Sequence, residues 1–249
     1  MRRKLTILAA AATAICLVPA VGAGAATVTI GSPLTSAFDN NPAGDTGTQA
    51  MVGGPNLASP VDGTVINWRT QNFSGNLRVR ILQISAGNAA TAVASSSPIS
   101  LSGGTVDSPL NLPIKKGQFV GFDNTDGSDS ADVVPDSPIY TSFFWSILSD
   151  NAAPEAPGDD GALEFAYNST VRYCLVPSIV GKKLGAARTA LADAGCTLGK
   201  VTKKKAKKGK GRKGKKVVGS QSVAAGTSLA DGAPVGVRVK TKKHKKKSG

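Results

Sequence analysis

Histidine is nearly absent. The 249-residue chain carries one, His244, and it sits in a run of lysines. A Ser-His-Asp or Cys-His arrangement therefore has no base inside a folded unit, and a zinc site has no imidazole partners. Aromatic residues make up only 5%. No interior run of about 18 apolar residues exists, which excludes an integral membrane enzyme. Cysteines number three, and 16 acidic residues face 30 Lys and Arg, a formal net charge of +14. What is present is an apolar fraction of 41%, enough for a core, so a wholly disordered chain is excluded as well. The length fits one large domain or two modest ones.

Residues 1–26 read as a secretory signal. Arg2, Arg3 and Lys4 form a positive start, Leu5 to Val18 an apolar stretch, and Pro19 breaks it. Ala23-Gly24-Ala25 then offers small residues for cleavage. Cys16 follows Ile15 rather than the small residue of a lipoprotein site, which makes it an incidental member of the apolar stretch. Removing the signal leaves Cys174 and Cys196 in a compartment that permits disulfides. One bridge between them stabilises by roughly 3 kcal/mol in the chain-entropy description. The alternative is a pair of free buried thiols. The expected location is secreted, extracellular or attached to the cell wall.

Splitting the charge is informative. Residues 27–173 hold six basic against 14 acidic residues, a net of −8, whereas residues 174–249 hold 21 basic against Asp193 and Asp231, a net of +19. The acidic half reads as all-β. Leu77, Val79 and Ile81 alternate with Arg78 and Arg80, and Thr64 to Thr70 alternates similarly. Further strands are expected at Thr27–Ile30, Pro98–Leu101, Leu110–Ile114, Gln118–Phe122, Tyr140–Leu148 and Ala162–Tyr173, separated by Gly, Pro, Asn, Asp and Ser clusters. Seven or eight short antiparallel strands fit a β-sandwich of jelly-roll type.

The basic half opens with Val176-Pro177-Ser178-Ile179-Val180-Gly181. A helical stripe of Leu184, Ala187, Leu191 and Ala194 follows, and Gly195 stands where a left-handed cap is wanted. Val217-Val218-Gly219-Ser220-Gln221-Ser222, Ala225-Gly226-Thr227 and the alternating Val235, Val237 and Val239 complete it. This order resembles the PASTA module, the repeat attached to penicillin-binding proteins and bacterial Ser/Thr kinases, over Cys174 to Lys240. The resemblance implies a small α+β fold, one helix on a three-stranded sheet, and peptidoglycan as ligand class. A Cys174–Cys196 bridge would then tie the first strand to the residue just after the helix. The chain departs from the family pattern in four ways. It has a single copy, it lacks kinase and transpeptidase domains, and Lys183 stands where a helix-capping Ser is common. The loop 200–216 is also swollen with Lys and Arg, 11 of 17 residues.

Candidate binding residues concentrate in that loop: Lys203, Lys204, Lys205, Lys207, Lys208, Lys210, Arg212, Lys213, Lys215 and Lys216, followed by the basic tail 241–249. One reading is a solvated run that adheres nonspecifically to polyanions, DNA included. The sharper reading is an anchor on anionic wall polymers or peptidoglycan. No aromatic residue interleaves the lysines, so stacking on single-stranded nucleic acid is not expected.

In the acidic half, Glu155, Asp159, Asp160 and Glu164 are the carboxylates available for glycoside hydrolysis, and Asp123, Asp126, Asp129 and Asp132 those available for calcium. In both sets solvated surface charge is the simpler reading. Trp68, Tyr140 and Trp145 are candidates for stacking on sugars, with core packing as the alternative. Core packing would place Ile66 with Trp68 on one strand face, and Phe143, Trp145 and Ile147 on another. No catalytic residue, metal site or cofactor is expected. The sequence thus points to a secreted, non-enzymatic bacterial cell-envelope protein. The alternative is a carbohydrate-binding module or divergent glycan hydrolase in the sandwich.

Overall fold

The computed structural model describes residues 24–38, 46–125, 129–203 and 215–242. Most of the expected signal, Cys16, Asp126, Lys204 to Lys213, His244 and the end of the basic tail lie outside the described residues. The strands are β1 (Ala26–Gly31), β2 (Gly47–Gly53), β3 (Gly63–Gln71), β4 (Ser74–Ile84), β5 (Ala90–Ser95), β6 (Ile99–Ser102), β7 (Thr105–Ile114), β8 (Phe119–Asn124), β9 (Val133–Val134), β10 (Thr141–Trp145), β11 (Asp159–Gly161), β12 (Glu164–Phe165) and β13 (Tyr167–Leu175). After helix α1 (Leu184–Asp193) come β14 (Thr197–Lys203), β15 (Lys215–Gln221), β16 (Ser228–Leu229) and β17 (Pro234–Lys242).

Two antiparallel sheets face each other. One has the order β1-β13-β3-β7, and the other contains β2-β8-β4-β5. That order and the alternation of the chain between the sheets make a jelly roll. Residues 129–166 form an excursion in which β10 and β11 extend the second sheet beyond β2. Inward residues of both sheets build the main core, centred on Trp68, Phe73, Phe122, Phe165 and Tyr167. Their ring centroids lie 5.1–6.4 Å apart, mostly edge to face, the arrangement that aromatic quadrupoles favour. The Tyr167 hydroxyl crosses between the sheets and donates to the Val120 carbonyl at 2.7 Å. Burial pushes its pKa upward.

Several expectations change. The register slips between Val65 and Asn67, so Val65 and Trp68 both point inward while Ile66 is the half-buried residue of the bulge. β10 ends at Trp145, and Ile147 is exposed. The expected strand Ala162–Tyr173 is two strands, because Glu164–Phe165 pairs with β9 before β13 begins. β2 and β5 were not expected at all. Arg80 faces away from the main core, yet it is buried, because the excursion covers that side of the second sheet. A second apolar cluster forms there from Ala50, Leu82, Ala90, Ala92, Trp145 and Leu148.

The C-terminal unit has its own core. α1 lays Ala187 and Leu191, with Leu184 and Ala194 at the margin, against Val218, Val235, Val237 and Val239. The sheet order is β14-β17-β15, with β14 parallel and β15 antiparallel to β17. Gly195 has φ +72, the left-handed conformation expected of it. A side chain there would also meet the Tyr173 carbonyl oxygen at 2.8 Å. Lys183 precedes α1 without a side-chain cap.

β13 belongs to both units. It pairs with β1 and β3 up to Tyr173, and its last residues, Cys174 and Leu175, pair with β16. The strand therefore runs straight through the expected boundary at 173/174. Cys174 is bonded to Cys196. Arg172 reaches across to Asp231, with Nε at 2.9 Å and Nη2 at 2.7 Å from one carboxylate oxygen.

Candidate functional site

In β17, Val235, Val237 and Val239 turn toward α1, which leaves Gly236, Arg238 and Lys240 on the opposite face. In register with Arg238 stand Thr202 on β14 and Ser220 on β15. Lys200 and Ser222 complete the lining of a shallow open groove of ≈ 300 Å³. Gly236 forms its floor, since a β-carbon there would come within 3.2 Å of the Ser222 hydroxyl.

The Ser-Gln-Ser run splits into three jobs. Ser222 Oγ accepts from Gly236 N at 2.8 Å, while Ser222 N donates back to the Gly236 carbonyl. This pair fixes β15 against β17 and leaves the Ser222 hydroxyl proton free to donate outward. Gln221 turns under the sheet, where its Oε1 accepts from Ile179 N. Its Nε2 donates to the carbonyls of Pro177 and Val223. Gln221 thereby staples the opening Val-Pro-Ser-Ile segment to β15. The Ser220 hydroxyl, exposed beside Arg238, makes no protein hydrogen bond among the described residues. Thr202 Oγ1 donates to Val237 O at 3.3 Å.

The groove is cationic without compensation. Of the unit's two acids, Asp231 is held by Arg172 and Asp193 belongs to α1. Among the described residues neither Lys200 nor Arg238 has an ion-pair partner. Of the loop residues singled out in the sequence, Lys203 ends β14 and Lys215 and Lys216 begin β15, all exposed. The residues that flank the loop therefore stand at one end of the sheet that carries the groove. The groove residues were overlooked in the sequence beside the denser lysine block. The valine alternation was the signal that would have found Arg238.

The acidic half presents less. Trp68, Tyr140 and Trp145 are 0%, 4% and 3% exposed, so none offers a ring face to a sugar; Trp145 instead donates its indole N–H to the Asn88 carbonyl. Glu164 is buried and accepts from the hydroxyls of Ser32 and Ser36. Glu155 accepts from Ser146, and Asp159 and Asp160 lie exposed on β11. A shallow hollow of ≈ 340 Å³ beside Phe144 is lined by Asp159 but by no second carboxylate.

The three described aspartates of the set considered for calcium, Asp123, Asp129 and Asp132, are each engaged separately. Asp129 accepts from Asn76 N and Asp132 from Asn72 Nδ2, each at 3.0 Å. Asp123 accepts from the Thr48 hydroxyl at 2.7 Å and faces Arg80. Among the described residues no group of three His, Cys, Asp or Glu is placed to hold a metal ion. Burial raises the pKa of Asp123, opposed by Thr48 and Arg80.

Comparison with known families agrees with the geometry of the C-terminal unit: residues 175–241 match the PASTA domain. No curated protein and no solved structure matches the chain. Among the described residues no helix is long and apolar enough to cross a membrane.

Proposed function

We propose that this is a secreted, non-enzymatic cell-envelope protein in which a jelly-roll sandwich, residues 27–173, is held at the bacterial wall by the PASTA unit, residues 174–240. Peptidoglycan or an anionic wall polymer is the partner. The observation that carries this reading is the unpaired cationic groove on the sheet of the family-matched unit, with the Lys-rich loop leaving from the same sheet. Support also comes from the disulfide, which suits an oxidising compartment outside the cytoplasm.

Lysine is a hydrated point charge with no fixed recognition geometry, so the loop adds attraction and on-rate rather than selectivity. DNA binding by the loop in vitro follows from the same charge and is incidental to the proposed role. The test is cosedimentation of the mature chain with purified peptidoglycan. Binding that falls steeply as salt rises from about 0.05 to about 0.5 M is expected, since exposed charges are screened within a Debye length. A chain that stays in the supernatant at low salt refutes the proposal.

A further inference from the structure

We infer that the outer face of the β14-β17-β15 sheet is a binding site for a polyol-phosphate chain, with Arg238 as its central recognition residue. The inference rests on the wall-binding reading and names the chemistry of its ligand. Three observations carry it. First, the face is cationic and carries no acid: Lys200, Arg238 and Lys240 are exposed on it, while Asp231 is turned away and held by Arg172. Second, the register flanks Arg238 with hydroxyls, Thr202 on one side and Ser220 on the other. Ser222 lies further along the same groove. Thr202 spends its proton on the Val237 carbonyl, so the donors are Ser220 and Ser222. A guanidinium fork beside two serine hydroxyls matches the non-bridging oxygens of a phosphodiester better than it matches an isolated carboxylate.

Third, Gly236 keeps the floor clear, so a chain can lie flat along β17. Arg238 and Lys240 recur on that face at a spacing of roughly 7 Å. Successive phosphates joined by a short polyol have a separation of that order. Nucleic acid offers phosphates too, but among the described residues no aromatic side chain lines the groove to receive a base. The ligand is therefore the polyol-phosphate polymer.

The test uses the full mature chain and peptidoglycan with its covalently attached phosphate polymer either retained or chemically stripped. Stripping is expected to lower binding severalfold. Arg238→Ala is expected to weaken binding to the unstripped wall about tenfold, the loss of a charge-assisted fork. Arg238→Lys is expected to recover only part of this. Arg188→Ala, which removes the same charge from the exposed side of α1, on the far side of the sheet from the groove, serves as the matched control and should change binding by less than about twofold.

Equal binding to stripped and unstripped wall, or equal losses for Arg238→Ala and Arg188→Ala, overturns the inference while leaving wall binding intact. Absence of pelleting on either material refutes the wall reading itself. Competition by oligothymidylate as effective, per phosphate, as soluble poly(glycerol phosphate) overturns the assignment to polyol phosphate and makes the face a nucleic-acid site.

Discussion

Replacing Arg80 by Met tests how the excursion 129–166 is held to the sandwich. The Arg80 side chain is 2% exposed, and its Nε lies 3.3 Å from Asp123, itself fully buried. Nη1 is 3.1 Å from Asp150, and Nη2 donates to the Leu148 carbonyl. Met keeps much of the stem's volume and removes the charge. Breaking a buried pair from one side leaves the other charge uncompensated, and the expected loss is about 3–5 kcal/mol. That is roughly a fifth or more of the stability of an ordinary domain.

The deficit carries a pH signature. Asp123 already has a raised pKa in the folded state, through desolvation, and loss of Arg80 raises it further. A carboxyl whose folded pKa lies above its unfolded value favours folding when protonated. Its contribution is fully present below the unfolded pKa and is lost as pH rises through the folded one. The Arg80→Met deficit should therefore shrink on going from about pH 7 to about pH 5. Arg80→Met/Asp123→Asn should recover most of it, because a neutral pair has no stranded charge.

Guanidinium unfolding followed by tryptophan emission measures this directly, since Trp145 packs in the covering cluster itself. A loss under about 1 kcal/mol, equal at both pH values and additive with Asp123→Asn, refutes the reasoning.

Four further outcomes follow from the same structure. Cys174→Ser/Cys196→Ser should destabilise the PASTA unit by roughly 3 kcal/mol; the only tryptophans, Trp68 and Trp145, lie in the sandwich, so the loss is read by amide exchange in β14, β15 and β17. Gln221→Ala should cost about 1–3 kcal/mol by stripping partners from the backbone of Pro177 and Ile179, seen as faster exchange at the Ile179 amide. Gly75→Ala should lower the Tm, since φ is +101 and the new β-carbon would run into the Asp129 carboxylate; an unchanged Tm contradicts this. Asp107 behaves oppositely to Asp123: hydrogen bonds from Arg69 and then Asn67 lower its pKa, so its contribution holds above the unfolded pKa and is lost as pH falls through the folded one, and Asp107→Asn should flatten that acid-side slope in a pH series of thermal melts.

The strands that the sequence disclosed are those whose two faces differ. β1, β3, β4 and β8 carry branched or aromatic residues toward the main core. β2 and β5, Gly-Thr-Gln-Ala-Met-Val-Gly and Ala-Thr-Ala-Val-Ala-Ser, gave no alternation to follow. Both lie in the sheet that the excursion covers, where Ala50, Ala90 and Ala92 make room for Trp145 and Leu148. A face covered by a distant segment needs no local pattern, and for the same reason the alternation that set Arg80 opposite Leu77, Val79 and Ile81 did not disclose its burial.

The C-terminal unit was easier. Its helix stripe, its Gly195 cap and its motif order are local features, and each has a structural counterpart. The groove was half-legible. Valine alternation fixes where Arg238 faces, but its flanking hydroxyls come from β14 and β15, and only the register brings them together.

β13 has a mechanical consequence. If the wall holds the PASTA unit while the sandwich is tugged from outside, the tension enters the sandwich along β13 itself. β13 is gripped on both sides, by β1 and by β3. Its interstrand hydrogen bonds lie across the strand, so a pull along its axis loads them together in shear rather than one at a time. The Cys174–Cys196 bond carries the pull past α1 as a covalent shunt, sparing the small core the helix helps to form. The joint is stiff where a tether would be slack, and it would fail by drawing a whole strand out of the sandwich rather than by paying out a linker.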